Sequence, residues 1–391
     1  MAKIYLRRNE EHRIKNGHLW AFSNEVFKLE GEAESGDMVD IYDSRENYIG
    51  TGFYNKNSLI TFRLLSRKPV KDLGAFIISS IQKAYELRKA FYPGRNSYRL
   101  VFSESDFLPG LIVDKYNDTC VLQVCSVGME RNIELIVKAL KEVTGAVNIF
   151  SRNEHFFRKT EGLPEEDRIY AGAVRSEIIS DGAVKYKINF EKGHKTGFYF
   201  DQGDNRTFIE KISNGKTVLD AFCNSGGFGL HATLAGATDV LFLDSSASEI
   251  QNAMDNFILN DLNAKVEYVV ADVFDHFEKL ISENRKFDVV MTDPPAFAKN
   301  KKSLPVAKKG YEKLNRLALK LVNDGGFLVT SSCSHHLLRG DFLDIINVAA
   351  YKAEKKVQLV HFNFAALDHP QLPAMEETVY LKFAVLRAGE G

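Results

Sequence analysis

Thr217-Val-Leu-Asp-Ala-Phe-Cys-Asn-Ser-Gly-Gly-Phe-Gly229 is a short apolar strand that runs into a glycine loop. Beyond it the chain repeats the same alternation. Apolar, β-branched segments at 217–219, 239–243, 266–270, 287–292 and 326–330 read as strands, and helical periodicity fills the gaps, at 248–260 and 305–322 among others. Strands without an exposed face, separated by helices, predict an α/β fold with a doubly wound, mostly parallel, Rossmann-like sheet. Two further β-rich segments, 357–364 and 378–386, are expected to close its edge as a hairpin-like pair.

Upstream the periodicity changes twice. Residues 1–68 alternate apolar and polar side chains in short bursts such as Asp37-Met-Val-Asp-Ile-Tyr42, separated by turn residues, which predicts a small β-barrel-like domain. Its opening stretch is basic (Lys3, Arg7, Arg8, Arg13, Lys15) and includes His12, His18 and Trp20. That mixture is an ordinary solvated surface or a backbone-and-stacking RNA surface. Residues 69–180 read as a central α+β domain. It has helices at 72–91 and 129–143, strands at 99–102, 111–113, 120–124 and 146–150, and a mobile loop at 158–167. A third domain, carrying the strand–helix alternation, would then span 181–391.

Bulk properties narrow the class. A chain of 391 residues needs more than one core. A net charge of −1 confines any nucleic-acid surface to local patches. The N-terminus lacks the apolar core of a signal peptide, and no apolar run approaches the length of a membrane span. Cys120, Cys125, Cys223 and Cys333 form no C-x-x-C pair, which argues against zinc and for a reduced, cytoplasmic protein. Cys120 and Cys125 read as packing residues on opposite faces of a strand.

Ligands of an open parallel sheet sit outside the carboxyl ends of its strands. Four strands end there in an acid, expected in one register: Asp220, Asp244, Asp272 and Asp293. Each alone is more often a cap; together they point to a nucleoside site. Asp244, with Ser245 beside it, suits ribose hydroxyls, and Asp272 with Val273 suits an adenine edge. Phe222, Asn224, Ser225 and Gly226 form the loop that approaches the ligand. The loop is neither G-x-G-x-x-G nor a P-loop, so a phosphate-free nucleoside, S-adenosylmethionine, fits best. In the segment Gly193-His-Lys-Thr-Gly-Phe-Tyr-Phe-Asp-Gln202, a lid is expected to set Phe200 against adenine, with Gln202 and Arg206 at the methionine end.

Asp293-Pro-Pro-Ala-Phe297 closes one strand and Thr330-Ser-Ser-Cys-Ser334 the next. Consecutive prolines fix the backbone beside a carboxylate. A buried cysteine is ordinarily an inert small hydrophobe. Beside such a carboxylate and a methyl donor, Cys333 instead suggests a nucleophile for carbon 6 of a pyrimidine, with Asp293 at ring N3. His335 and His336 receive no role. Lys299, Lys301, Lys302, Lys308 and Lys309 read as a mobile basic loop suited to phosphates.

Several of these motifs together resemble one family. They are Lys195-Thr-Gly-Phe, Asp201-Gln202, Arg206, Phe222 with Ser225-Gly-Gly-Phe228, Asp293-Pro-Pro-x-Phe297, Ser332-Cys-Ser334, Asp368-His-Pro370 and Ser103-Glu-Ser-Asp-Phe-Leu-Pro-Gly-Leu-Ile-Val-Asp114. Their combination is similar to the ribosomal RNA large subunit methyltransferase I type. The resemblance covers nearly the whole chain. It implies an N-terminal PUA RNA-binding domain, a central α+β domain and a class I methyltransferase domain using S-adenosylmethionine. It also implies 5-methylcytosine formation in 23S rRNA or a large-subunit particle, with Cys333 as nucleophile. A homodimer is an open assembly, and no membrane partner is expected. Asn224 stands where the family often has an aromatic residue, and Glu376 where it often has proline. Two alternatives remain: methylation of an exocyclic amine or guanine, which needs no cysteine, and a non-catalytic RNA-binding assembly factor. A small-molecule methyltransferase would leave the β module idle.

Overall fold

The computed structural model describes residues 1–190, 196–298 and 300–391, and the chain forms two compact units. The first comprises residues 1–179, 188–200 and 367–378; the second comprises 180–187, 201–366 and 379–391.

In the first unit, β1 (Lys3–Leu6), α1 (His12–Lys15), β2 (Trp20–Phe22), β3 (Val26–Glu30), β4 (Met38–Tyr42), β5 (Tyr48–Tyr54) and β6 (Ile60–Ser66) build a six-stranded sheet, ordered β2-β6-β5-β4-β1-β3. The alternation in β4 buries Val39 and Ile41 against Ile4, Leu6, Phe62 and Leu64. Much of the basic opening stretch is locally paired. Arg13 bonds Glu25, Lys15 bonds Asp43 at 2.6 Å, and Trp20 Nε1 donates to Glu104 at 2.8 Å. Arg7, Arg8 and His12 stay exposed.

The rest of this unit holds α2 (Leu73–Phe91), β7 (Ser97–Phe102), β8 (Leu111–Tyr116), β9 (Thr119–Val124), α3 (Val127–Arg131), α4 (Ile133–Thr144), β10 (Asn148–Ser151), α5 (His155–Glu161) and β11 (Ile169–Ala171). Asp72 caps α2 through the amide of Ala75, and Ile77, Ile81 and Ala84 face the core. The expected single helix at 129–143 is two, because Asn132 turns its side-chain amide onto the Gly128 carbonyl at 2.7 Å. The expected mobile loop at 158–167 begins as helix α5. Arg158 is buried, bonding the Val124 carbonyl and Glu130, so the segment is anchored at its start.

A hairpin of β12 (Glu177–Asp181) and β13 (Val184–Ile188) leads into the second unit. That unit contains α6 (Gly203–Ser213), β14 (Thr217–Ala221), α7 (Gly227–Leu234), β15 (Asp239–Asp244), α8 (Ala247–Leu259), β16 (Lys265–Val270), α9 (Val273–Ser282), β17 (Phe287–Thr292), α10 (Leu304–Leu321), β18 (Val322–Ser332), α11 (Arg339–Lys352), β19 (Lys355–Asn363) and β20 (Lys382–Glu390). The sheet runs β16-β15-β14-β17-β18-β20-β19, parallel except at β20, which lies antiparallel to both neighbours. Leu219, Leu241, Leu243, Val290 and Leu328 pack one face against α9, α10 and α11. The opposite face carries Phe242, against which α7 packs through Gly229. Strand order reverses between β14 and β17, and that switch point positions the site.

Among the described residues no helix is long and apolar enough to cross a membrane.

Candidate active site

The loop after β14 bends through three left-handed residues, Phe222 (φ 60°), Asn224 (φ 49°) and Gly226 (φ 85°). Two carboxylates hold it in shape. Asp244 Oδ2 accepts the amide of Asn224 at 3.0 Å, and its Oδ1 accepts that of Ser246 at 2.9 Å. Asp220 accepts the Gly229 amide at 2.7 Å. The four acids are not level, contrary to the expected single register. Asp220 pairs with Met291 and Phe242, two residues below the ends that carry Asp293 and Asp244. Asp272 lies two residues beyond Val270, the partner of Asp244. Its Oδ1 caps α9 through Phe274 and Asp275, while Val273 is buried and Ser245 exposed. Burial pushes the Asp220 carboxyl up to about 7, with Asp293 and Asp244 adding repulsion.

Across the switch point, Thr292 and Thr330 are register partners on the parallel strands β17 and β18, so Asp293 and Cys333 both emerge at the carboxyl end. Asp293 is half-buried. Its Oδ1 accepts from Ser331 Oγ and, at 3.0 Å, from Gln202 Nε2. Burial lifts its carboxyl to about 6 although both donors favour the ionised form. Cys333 is also half-buried, its sulfur 4.0 Å from the Pro294 carbonyl. Asp293-Pro-Pro and the thiol therefore share one wall.

Gln202, expected at the methionine end, is fixed on Asp293, with Asn205 donating to its Oε1 at 2.7 Å. Arg206 is buried and bonds Asp181 at 2.7 Å, its aliphatic stem lying under Gly227 of the glycine loop. Phe200 belongs to the first unit, where it is buried against Tyr116 and Phe198. Gly193, His194, Lys195 and Lys299 lie outside the described residues. The expected basic loop is partly helix: Lys308 and Lys309 lie on α10, and Lys308 pairs with Asp341 at 2.7 Å.

Sequence reading missed Ser331, Asn205, Tyr311 and Lys382. Tyr311 and Ser334 share a hydrogen bond of 3.0 Å, and Lys382 donates to the Ser334 carbonyl at 2.7 Å. Nothing in local periodicity marks them: Ser331 sits in the quoted run before Cys333 but bonds Asp293 beyond the neighbouring strand, and Asn205, Tyr311 and Lys382 come from α6, α10 and β20.

The donor set suits one class of cofactor. Carboxylates on three adjacent strands repel phosphate, accept ribose hydroxyls and favour a sulfonium cation.

A family model described as an S-adenosylmethionine-dependent methyltransferase matches residues 153–387, and one described as a PUA-like domain matches residues 4–67. Fold and site thus define an S-adenosylmethionine-dependent methyltransferase preceded by a PUA-like domain. The chain is 35% identical to the ribosomal RNA large subunit methyltransferase I of Tolumonas auensis, over 98% of this chain and 99% of that one. It is 36% identical to its counterpart in Aeromonas hydrophila, over 99% of each. The chain belongs to the ribosomal RNA large subunit methyltransferase I family. In fold it also matches a solved structure of SMU.776 in complex with SAH, with a TM-score of 0.85 at 22% identity, covering 99% of this chain and 100% of that one. The resemblance drawn from the motifs is borne out for family, fold and cofactor.

Proposed function

We propose that this protein methylates carbon 5 of a cytosine in large-subunit ribosomal RNA, with Cys333 as nucleophile and Asp293 as the group that faces ring N3. The observation that carries the reading is the meeting of a carboxyl of raised pKa and a thiol at the ends of neighbouring parallel strands. Relatives of nearly full length named as methyltransferases of large-subunit rRNA support the substrate class.

Carbon 5 of a free cytosine is a poor nucleophile. In the proposed sequence the Cys333 thiolate adds to carbon 6, and the displaced electron pair is carried toward N3. Asp293, near neutrality in its ionisation, donates a hydrogen bond or proton at N3 and stabilises that charge. Bound S-adenosylmethionine supplies an electrophilic methyl for carbon 5. A base then removes the carbon-5 proton, and the electron pair expels the thiolate. Phe222, Asn224, Ser225 and Gly226 would hold the cofactor together with Asp244 and Ser245 at the ribose, Asp272 and Val273 at adenine, and Arg206 at the methionine end. Asp220 acts through the loop that it pins.

The test is transfer of labelled methyl to undermodified rRNA, followed by nucleoside analysis, for wild type and Cys333→Ala. Label in 5-methylcytidine that the variant abolishes supports the reading. Label in another nucleoside, or a fully active variant, transfers the assignment to amine or guanine methylation.

A further inference from the structure

Lys382 opens β20, is 2% exposed, and pairs in register with Ser332, the residue before Cys333. Its ammonium donates to the carbonyl of Ser334, the residue after Cys333, at 2.7 Å and to that of Tyr380 at 2.6 Å. The lysine is therefore tied to the backbone of the segment that carries the thiol. Among the described residues no carboxylate pairs with it. A buried cation without a counter-charge is costly. Burial indeed pushes Lys382 down to about 8, and the charge that opposes this is that of Cys333.

We propose that Lys382 is a positioning residue that acts through Cys333: its ammonium, locked by two carbonyls, is the counter-charge that holds the sulfur as thiolate. The inference rests on the nucleophile reading above and deepens it. An ammonium has three donors, and two are committed to carbonyls. Three other described ionisable groups near the pair have partners of their own. Tyr311 shares a hydrogen bond with Ser334, and burial raises its pKa, so it is neutral at pH 7. His335 lies against the Tyr380 ring, whose hydroxyl donates to Asp201 at 2.6 Å. Asp293 is bound to Ser331 and Gln202.

The test reads the thiol directly. The rate of iodoacetamide alkylation at Cys333, followed by peptide mass spectrometry between about pH 5.5 and 9.5, is compared for wild type, Lys382→Met and Lys382→Arg. Lys382→Met is expected to move the midpoint up by about one pH unit and to slow alkylation at pH 7 about tenfold, while Lys382→Arg stays within about threefold of wild type. A Lys382→Met profile superimposable on wild type overturns the proposal. Should Lys382→Met not fold, the wild-type midpoint decides: below about 8.5, the ordinary thiol value, it supports the pairing, and at or above that value it refutes it. Alkylation that depends on Lys382 in a protein whose Cys333→Ala variant still methylates would sink the nucleophile reading and leave the pairing standing.

Discussion

Ser331 Oγ donates to Asp293 Oδ1, joining the ends of β17 and β18 where the two strands leave the sheet. The bond favours the carboxylate, and burial opposes it, so the Asp293 carboxyl settles at about 6. Ser331→Ala removes one of the two donors that favour the ionised form and is expected to move the ionisation of Asp293 upward. The limb of the kcat/KM profile near pH 6 should shift up by roughly half to one pH unit. An unmoved limb would show that the serine does not tune the acid.

Asp293→Asn retains the size and one donor but cannot ionise. Methyl transfer should fall by about two orders of magnitude or more, and the limb near pH 6 should vanish. Affinity for S-adenosylhomocysteine, measured by calorimetry, should change only a few-fold. A variant that loses cofactor binding in proportion to activity would make Asp293 a binding group instead.

Asp220 makes stability depend on pH. Its folded carboxyl ionises at about 7, well above the unfolded value near 3.8. Between these values the native state keeps a proton that the unfolded chain has released, so stability should fall as pH rises through the window. Asp220→Asn, which still presents an oxygen to the Gly229 amide, should flatten that slope. Wild type should lose on the order of 2–4 kcal/mol between pH 4 and 7 relative to the variant, read by urea denaturation.

Gly229 lets α7 approach the sheet. A Cβ there would lie 2.3 Å from a ring carbon of Phe242. Gly229→Ala should cost about 1–3 kcal/mol, and adding Phe242→Leu should recover part of it. Full stability of the single variant would contradict the packing.

In the first unit, buried Arg88 bonds both oxygens of Asp106, at 2.6 and 2.7 Å, and also donates to the carbonyls of Arg99 and Asp368. Arg88→Met strands a buried carboxylate and should cost about 3–5 kcal/mol in denaturation. Arg88→Met with Asp106→Leu should be less damaging than the single change.

Much of the second unit was legible locally. Strand β17 and helix α10 fall within a residue or two of where apolar periodicity sets them. Strand β18 is longer than its apolar core. Expected at 326–330, it begins at Val322, which pairs with Phe287, and a register shift follows before Val289 pairs with Phe327. In the first unit, Arg158 opens the segment expected to be a mobile loop, because burying an arginine requires partners that only the folded chain supplies.

The sequence alone determined the βα alternation, the glycine loop, the acids at the strand ends and the presence of Asp293-Pro-Pro and Cys333. These are properties of neighbours along the chain, set by side-chain period and turn chemistry. Tertiary structure decided which acids do structural work, with Asp220, Asp244 and Asp272 taking backbone amides, and which residues stand beside Asp293 and Cys333. Ser331 and Gln202 bond Asp293, and Lys382 bonds the Ser334 carbonyl, because the fold brings together segments far apart in the chain. Hydrogen bonds and buried charges depend on distance in space, which the linear order of residues does not contain.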